Sequence, residues 1–250
     1  MRVFANTDTG LVRKVNEDDY CVFQNKNQDW LALVCDGIGG NQAGEVASHM
    51  VVSTLRDAFL QADEFKKDSQ VSLWIHKQLN KANDLIFEES KNNEGHKGMG
   101  TTCVGVILTK KATYIFNVGD SRIYADYDDG LIQMSEDHTV ISQLLREGKI
   151  SFDEAKNHMQ KNTLTNALGI WRLFRIDINK IQSNYKYLLL CSDGLHGYVQ
   201  HDKIQEIIED DNLELHEKVN HLILQARQAG GLDNCTVVLF DNNRLDEKYD

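Results

Sequence analysis

Four aspartates lie beside or near glycines at the ends of apolar segments that predict strands. Asp36 follows 31–35 and Asp193 follows 188–192, and a further two such residues are Asp120 and Asp233. A carboxylate at the end of a buried strand loses hydration, a cost that a cation or hydrogen bonds must offset. An Asx turn explains any one of these aspartates, but four in one chain favour a cation site.

The types of the neighbouring side chains restrict which cation could bind. The nine histidines form no H-x-H or H-x₃-H pair, and the five cysteines form no C-x-x-C pair. Oxygen donors without nitrogen or sulfur ligands favour Mg²⁺ or Mn²⁺ over Zn²⁺. Arg13, in a polar segment, is a candidate phosphate clamp because a guanidinium fork matches phosphate oxygens; the alternative is a solvated loop arginine.

The periodicity of apolar residues predicts the elements that must position these side chains. Alternating or β-branched runs predict strands over 2–8, 19–23, 30–36, 101–109, 112–118, 121–127, 131–134, 173–178, 187–191 and 235–240. Helical spacing predicts helices over 43–62, 71–86, 202–208 and 215–229, and a mostly helical segment over 138–170. Asp129-Gly130 predicts a type I′ hairpin turn. The order favours an α+β fold, a four-layer αββα sandwich in which helix pairs flank two mainly antiparallel sheets.

Composition narrows the class of protein. The 250 residues carry a net charge of −11, which argues against a nucleic-acid or anionic-membrane partner. The five cysteines lie in apolar runs and are odd in number, as expected for reduced thiols in the cytoplasm. The chain shows neither a signal-peptide pattern nor a long apolar span. We expect one domain over 1–240, a short polar charged tail over 241–250, and a monomer.

Eight segments in fixed order carry a family resemblance: TDTGLVRKVNEDDY, VCDGIGGNQAGEVAS, GMGTTCVGVIL, NVGDSRIY, EDHTVISQLLREGKI, NTLTNALG, LLLCSDGL and GGLDNCTVVLF. Each motif is weak alone, but the ordered set is specific and covers residues 2–240. It resembles the metal-dependent serine/threonine protein phosphatases of type 2C in their compact bacterial form. The resemblance implies the αββα sandwich, with a two-metal centre in the cleft between the sheets.

The resemblance also implies roles for individual residues. Asp36 would bridge two ions, the Gly37 carbonyl would bind one of them, and Asp193 and Asp233 would complete the other. Asp120 with Asp193 would hold a third, weaker ion. Arg13 would grip the substrate phosphate. Three residues would support the site, Glu17 and Asp18 largely through water and Asn234 as a neighbour of the ligands.

The reaction implied by the resemblance is hydrolysis of phosphoserine and phosphothreonine in proteins by a metal-activated water, without a phosphoenzyme. The cofactors would be two Mg²⁺ or Mn²⁺ ions per chain plus the weaker third, and the partners would be phosphoproteins made by a serine/threonine kinase. Two alternatives stay open. One is a binding module that has lost turnover, and the other is a two-metal hydrolase of small phosphate esters or nucleotides.

The chain departs from the family pattern at two places. Ile38 occupies a position where eukaryotic members often carry a histidine proposed as the general acid, so the acid here is unassigned. His158-Met159 replaces the usual His-Pro in a flap over about 139–165, so substrate preference cannot be transferred from relatives. His138 also matches the family, but a histidine in a turn is expected to be a structural hydrogen-bond partner.

Overall fold

The structure is a computed structural model that describes residues 1–39, 43–156 and 158–242. Within these residues the strands are β1 (Arg2–Asp8), β2 (Asp18–Gln24), β3 (Trp30–Ile38), β4 (Gly100–Thr101), β5 (Cys103–Leu108), β6 (Thr113–Val118), β7 (Arg122–Tyr127), β8 (Gly130–Gln133), β9 (Asp177–Ile181), β10 (Tyr187–Cys191) and β11 (Cys235–Asp241). The first sheet has the order β1-β11-β10-β7-β8 and the second has β2-β3-β5-β6-β9, with β4 paired to the end of β3. These pairings are antiparallel.

The described residues form seven α-helices. They are α1 (Ala43–Leu60), α2 (Asp68–Asn92), α3 (Val140–Arg146), α4 (Phe152–Lys156), α5 (Asp193–His196), α6 (His201–Glu209) and α7 (Leu215–Gln228). The apolar faces of α1 and α2 share a core with the second sheet, and those of α6 and α7 share one with the first. The predicted pairing of helices on each sheet is therefore confirmed.

A third core lies between the two sheets. It contains β-branched residues of both, such as Val34 and Val104 from the second sheet and Val238 from the first. Trp30 of β3 and Phe240 of β11 meet edge to face, with ring centroids 6.3 Å apart. Full burial of a valine or phenylalanine side chain stabilises the folded state by about 1.5–3 kcal/mol. These three cores give the four layers of the αββα sandwich, so the predicted fold class is confirmed.

The prediction of a mostly helical segment over 138–170 is wrong. Its described residues form only the short helices α3 and α4 between turns. No residue of α3 is buried, so this helix has no core contact to extend it. The segment is instead tied down by isolated bridges, from Thr139 to Leu164 and from Thr101 to Leu168.

A strand boundary and a turn type also differ from the sequence prediction. The strand expected over 173–178 runs over Asp177–Ile181, because the chain before it is irregular and Leu173 is exposed. The hairpin at Asp129 is present, but its turn is not type I′. Among the described residues Gln28 is the only non-glycine with positive φ, whereas Gly130 has a φ of 106° and takes the left-handed position one residue after the turn.

The remaining predictions concern the end of the chain, the cysteines and membrane-spanning segments. Strand β11 extends to Asp241, one residue beyond the predicted strand, and 243–250 of the predicted tail lie outside the described residues. All five cysteines are buried free thiols, as predicted. In the described part of the chain, no helix combines the length and apolar character that a membrane crossing requires.

Candidate active site

The sandwich brings the predicted acids to one edge because the antiparallel strands β3, β6, β10 and β11 begin or end there. Asp36 lies near the end of β3, Asp120 follows β6, Asp193 follows β10 and Asp233 precedes β11. All four line one cavity of about 520 Å³. The other lining residues are Arg13, Glu17, Gly37, Ile38, Gly39, Thr102, Asn162, Leu164 and Asn234.

Mutual proximity and burial make this cluster electrostatically unfavourable for negative charge. Burial raises the pKa of Asp36 well above its ordinary value, and the charges of Asp18 and Asp193 add to the rise. Burial also raises the pKa of Asp193, with the Asp233 charge as the next cause, while a hydrogen bond with Asp36 opposes it. Burial and the Asp193 charge together raise the pKa of Asp120 to about 7. Such a cluster attracts protons or cations.

Asp18 lies beside the cavity rather than in its lining. It is the cross-strand partner of Asp36, and its Oδ2 accepts hydrogen bonds of 2.7 Å from Ser192 Oγ and from Thr236 Oγ1. Its Oδ1 is buried and has no hydrogen-bond partner. An unpaired buried carboxylate oxygen next to Asp36 is costly, so a water or cation is needed to satisfy it. Ser192 also accepts from the Thr236 amide, so its hydroxyl has a structural role.

Glu17, which precedes Asp18 in the chain, lies in the cavity wall. Its carbonyl accepts from the Gly37 amide at 3.1 Å and from Ser48 Oγ at 2.7 Å. Burial raises the pKa of the Glu17 carboxyl, while a hydrogen bond from the Gly44 amide in the first turn of α1 opposes the rise. The N-terminus of α1 thus fixes this carboxylate by backbone donation and by its dipole.

Arg13 reaches the same cavity from the loop between β1 and β2. Its Nη2 donates to Asp233 Oδ2 at 2.8 Å, and its side chain is 47% exposed. The partly exposed guanidinium therefore stands at the solvent side of the acid cluster, next to one of its members. A planar cation in that position can bind an incoming phosphate through two N–H groups.

Asn234 connects the Arg13 loop to the first sheet. Its Nδ2 donates to the carbonyls of Thr9 and Val15, at 2.9 and 3.1 Å, and its Oδ1 accepts from the Glu17 amide at 2.8 Å. Sequence reasoning expected only a neighbour of the metal ligands. In the structure, the hydrogen bonds of Asn234 instead hold the loop against the start of β11 and so position Arg13 and Glu17.

Two glycines allow the backbones around the acids to approach closely. A Cβ at Gly194 would lie 1.8 Å from the Asn234 carbonyl oxygen, and a Cβ at Gly37 would lie 2.4 Å from Gly44. The glycine that follows Asp193 and the one that follows Asp36 are thus required by close contact, not by a turn conformation. Gly37, predicted to offer its carbonyl, lines the cavity.

The sequence analysis missed a threonine–serine pair that fixes Asp36. Thr102 Oγ1 accepts from the Asp36 amide at 3.0 Å and is 2.7 Å from Ser121 Oγ, and the Thr102 amide donates to the Asp36 carbonyl at 2.9 Å. The polar doublet at the start of an otherwise apolar strand, Thr101-Thr102, was the available signal. A hydroxyl there can accept from the Asp36 amide on the side of β3 where the pairing with β4 and β5 is interrupted.

Two further residues bear on the expected chemistry. Ile38 lines the cavity, so the position offers no proton donor. His138 is buried outside the cavity, where its Nδ1 accepts from the Gly119 amide at 3.1 Å and its Nε2 lies 3.1 Å from Asp177 Oδ2. It therefore positions the Gly119-Asp120 turn, in line with the structural role predicted for it. Among the described residues, no three His, Cys, Asp or Glu side chains form a ready-made metal-ligand set.

Comparisons with known proteins agree with this geometry. A family model described as protein phosphatase 2C matches residues 10–229. The serine/threonine phosphatase stp of Listeria welshimeri is 37% identical over 100% of this chain and 99% of its own length. The chain belongs to the protein phosphatase 2C family. It is an enzyme of that class, and the family resemblance inferred from its eight ordered motifs is confirmed.

Other family members extend the comparison to structure. Protein phosphatase PhpP of Streptococcus pneumoniae is 33% identical over 98% of this chain and 99% of its own. The crystal structure of Stp1 from Staphylococcus aureus matches with a TM-score of 0.90 at 33% identity, covering 96% of this chain and 94% of that one. The fold of this chain is therefore the protein phosphatase 2C fold over almost its whole length.

Proposed function

We propose that this protein hydrolyses phosphoserine and phosphothreonine in proteins, with water as the nucleophile and with divalent metal ions as cofactors. The observation that carries the proposal is the shared cavity in which Asp36, Asp193 and Asp233 meet Arg13. The names of the relatives, which are serine/threonine phosphatases, support the substrate class.

The residues present fit Mg²⁺ or Mn²⁺. The donors facing the cavity are carboxylate and carbonyl oxygens, the buried Asp18 Oδ1 lacks a partner, and the clustered negative charge needs compensation. We assign two ions to Asp36, the Gly37 carbonyl, Asp193 and Asp233, and a weaker third to Asp120 with Asp193. When bound, such ions supply Lewis-acid activation of water and neutralise charge on the phosphoryl group.

The residues of the chain itself do the remaining work. Arg13 orients the phosphate and stabilises its equatorial oxygens as charge develops on them. Among the described residues no cysteine or serine lines the cavity, the five cysteines are buried, and Ser192 is buried and hydrogen-bonded to Asp18, so nothing here favours a cysteine or serine nucleophile. Ile38 cannot protonate the leaving alkoxide, so we assign that proton to solvent.

The two alternatives identified from the sequence lack comparable support. A binding module without turnover has no need of four acids and an arginine in one cavity, and all five are present. A nucleotide hydrolase needs a surface on which a base can stack, and no aromatic residue lines the cavity within the described part of the chain. Turnover of phosphopeptides compared with nucleotides distinguishes the three functions.

We place this chemistry in one phosphatase domain over 1–240, with a flap over 139–165. Asn162 and Leu164 of that segment line the cavity, which supports the flap assignment. The phosphoprotein substrates would be products of a serine/threonine kinase, and we propose that the enzyme acts as a monomer. Five buried free thiols support a reducing compartment, the cytoplasm.

Removing divalent metal is expected to abolish phosphate release from a phosphothreonine peptide, by at least about 100-fold, because the carboxylates alone cannot activate water. Excess Mn²⁺ or Mg²⁺ should restore it. Added metal should also raise the thermal unfolding midpoint measured in EDTA-treated protein, since an ion that binds only the folded state stabilises it. Undiminished turnover in EDTA would show that the metal-dependent mechanism is wrong.

Substituting Arg13 by alanine is expected to raise KM for a phosphopeptide about ten-fold or more with a smaller change in kcat, because Arg13 binds the phosphate in the substrate complex. Arg2→Ala is the matched control. Arg2 also forms an ion pair with an aspartate, Asp241, but at the opposite end of the first sheet. Equal KM values for the two variants would contradict the assignment of Arg13.

A further inference from the structure

Three large apolar side chains lie exposed beside the phosphate-binding end of the cavity. Leu11 and Val12 are each 61% exposed, and Leu232 is 48% exposed. The first two immediately precede Arg13 and the third immediately precedes Asp233, its ion-pair partner. We call Leu11, Val12 and Leu232 the apolar rim.

The loops that carry the apolar rim are joined to each other. The Leu11 amide donates to the Gly231 carbonyl at 2.7 Å. A Cβ at Gly231 would lie 2.8 Å from Leu11 Cγ, and a Cβ at Gly230 would lie 3.3 Å from Leu232 Cγ, so the two leucines cover adjacent glycines. Both glycines have positive φ, 126° and 54°, which suits this tight path. The leucines are therefore held in place although they face solvent.

Leu11 and Val12 lie within two residues of Arg13, a reach comparable to that of the residues that flank a phosphorylated side chain. The Cα atoms of neighbouring residues are about 3.8 Å apart, so the Cα atom of Leu11 lies within about 7 Å of the Cα atom of Arg13. A substrate whose phosphate is bound at Arg13 carries its flanking side chains over the same distance. An apolar flanking side chain would bury the rim, whereas a polar one would leave it in water.

We propose that the apolar rim is a substrate-docking surface that selects phosphopeptides with an apolar residue within two positions of the phosphorylated serine or threonine. This rests on the proposed function, since it assumes that Arg13 binds the phosphate. The rim residues adjoin Arg13 and Asp233, both of which line the cavity, so the occupant we propose for the rim is the substrate polypeptide itself. Leu11 and Leu232 are specificity residues, not catalytic ones, because they act on the flanking side chain.

The test uses the metal-loaded enzyme and a set of phosphothreonine peptides. One peptide has only glycine and serine around the phosphothreonine, and the others carry a single leucine at position −2, −1, +1 or +2. Wild type is expected to hydrolyse at least one leucine peptide with a kcat/KM about ten-fold higher than the leucine-free peptide. In Leu11→Ser/Leu232→Ser this preference should vanish, while kcat/KM on the leucine-free peptide stays the same.

The controls separate the rim from general effects. Leu73→Ser removes a leucine that is 70% exposed on α2, away from the cavity, and should keep the preference. Leu232→Ala, which leaves Leu11 on Gly231, should reduce the preference and serves if the double variant misfolds. Equal kcat/KM for all peptides in wild type, or an unchanged preference in Leu232→Ala, would overturn the docking proposal. Absence of phosphate release from every peptide would instead refute the proposed function.

Discussion

Substituting Asp36 by asparagine is expected to lower kcat/KM for a phosphopeptide by on the order of 10³-fold or more at saturating Mn²⁺. Asp36 lies among negative charges, with Asp18, Asp193, Asp120 and Asp233 all raising its pKa. This environment suits the role that we propose for Asp36, a carboxylate shared between cations. Asparagine keeps the shape and loses the charge, so the loss reports on cation binding and not on packing.

The folded state should survive that substitution. Replacing a carboxylate in a crowded acidic cluster by a neutral amide removes repulsion, so the thermal unfolding midpoint of Asp36→Asn in EDTA should not fall below that of wild type. Asp126→Asn is the matched control, a buried aspartate on β7 at the end of the first sheet away from the cavity. Asp126→Asn should retain wild-type turnover. Retained turnover in Asp36→Asn would refute the assignment of Asp36 to the metals.

Substituting Gly194 by alanine is expected to destabilise the protein by about 3 kcal/mol or more. The added methyl group would lie 1.8 Å from the Asn234 carbonyl oxygen, a backbone atom that cannot rotate away. Moving that backbone shifts Asn234, whose hydrogen bonds hold the Arg13 loop, and displaces the neighbouring Asp193. Urea denaturation should show a lower midpoint, and activity should fall even where the variant remains folded.

A glycine elsewhere shows whether the clash is the cause. Gly98 has a φ of 77° and open space around its Cβ position, so Gly98→Ala meets only the cost of a left-handed backbone, about 1–2 kcal/mol. Gly194 has no such φ, so its penalty is entirely steric. If Gly194→Ala were no less stable than Gly98→Ala, the close packing of α5 against the start of β11 would be contradicted.

The elements with a strong periodic pattern were predictable from the sequence. The helix predicted over 43–62 is observed over Ala43–Leu60, since its apolar stripe packs on the second sheet. The strand predicted over 187–191 is observed with those bounds, because a continuous apolar run suits a strand buried on both faces. The helical prediction for 138–170 is wrong because its apolar residues have the spacing of a helix but α3 has no buried face.

The candidate site, too, could be predicted from the sequence only in part. The aspartates could be recognised in the sequence because each lies at the end of an apolar strand, where the cost of burying a carboxylate must be offset by a cation or by hydrogen bonds. Their convergence could not, since Asp36 and Asp193 are far apart in the chain and only the strand orders of the two sheets bring them to one edge. The contacts of Asn234 with Thr9 and Val15 are equally invisible, because an asparagine in a loop has no pattern that names its partner.

By itself, then, the sequence determined the types of donor, the layers and the family, because ligand chemistry and periodic burial are properties of residues and their neighbours. Only the tertiary structure decided which acid lies next to which, how Arg13 pairs with Asp233, and that the three residues of the apolar rim are exposed. Those relations depend on long-range strand pairing and on close backbone contacts at glycines such as Gly194, which the order of residues along the chain does not specify.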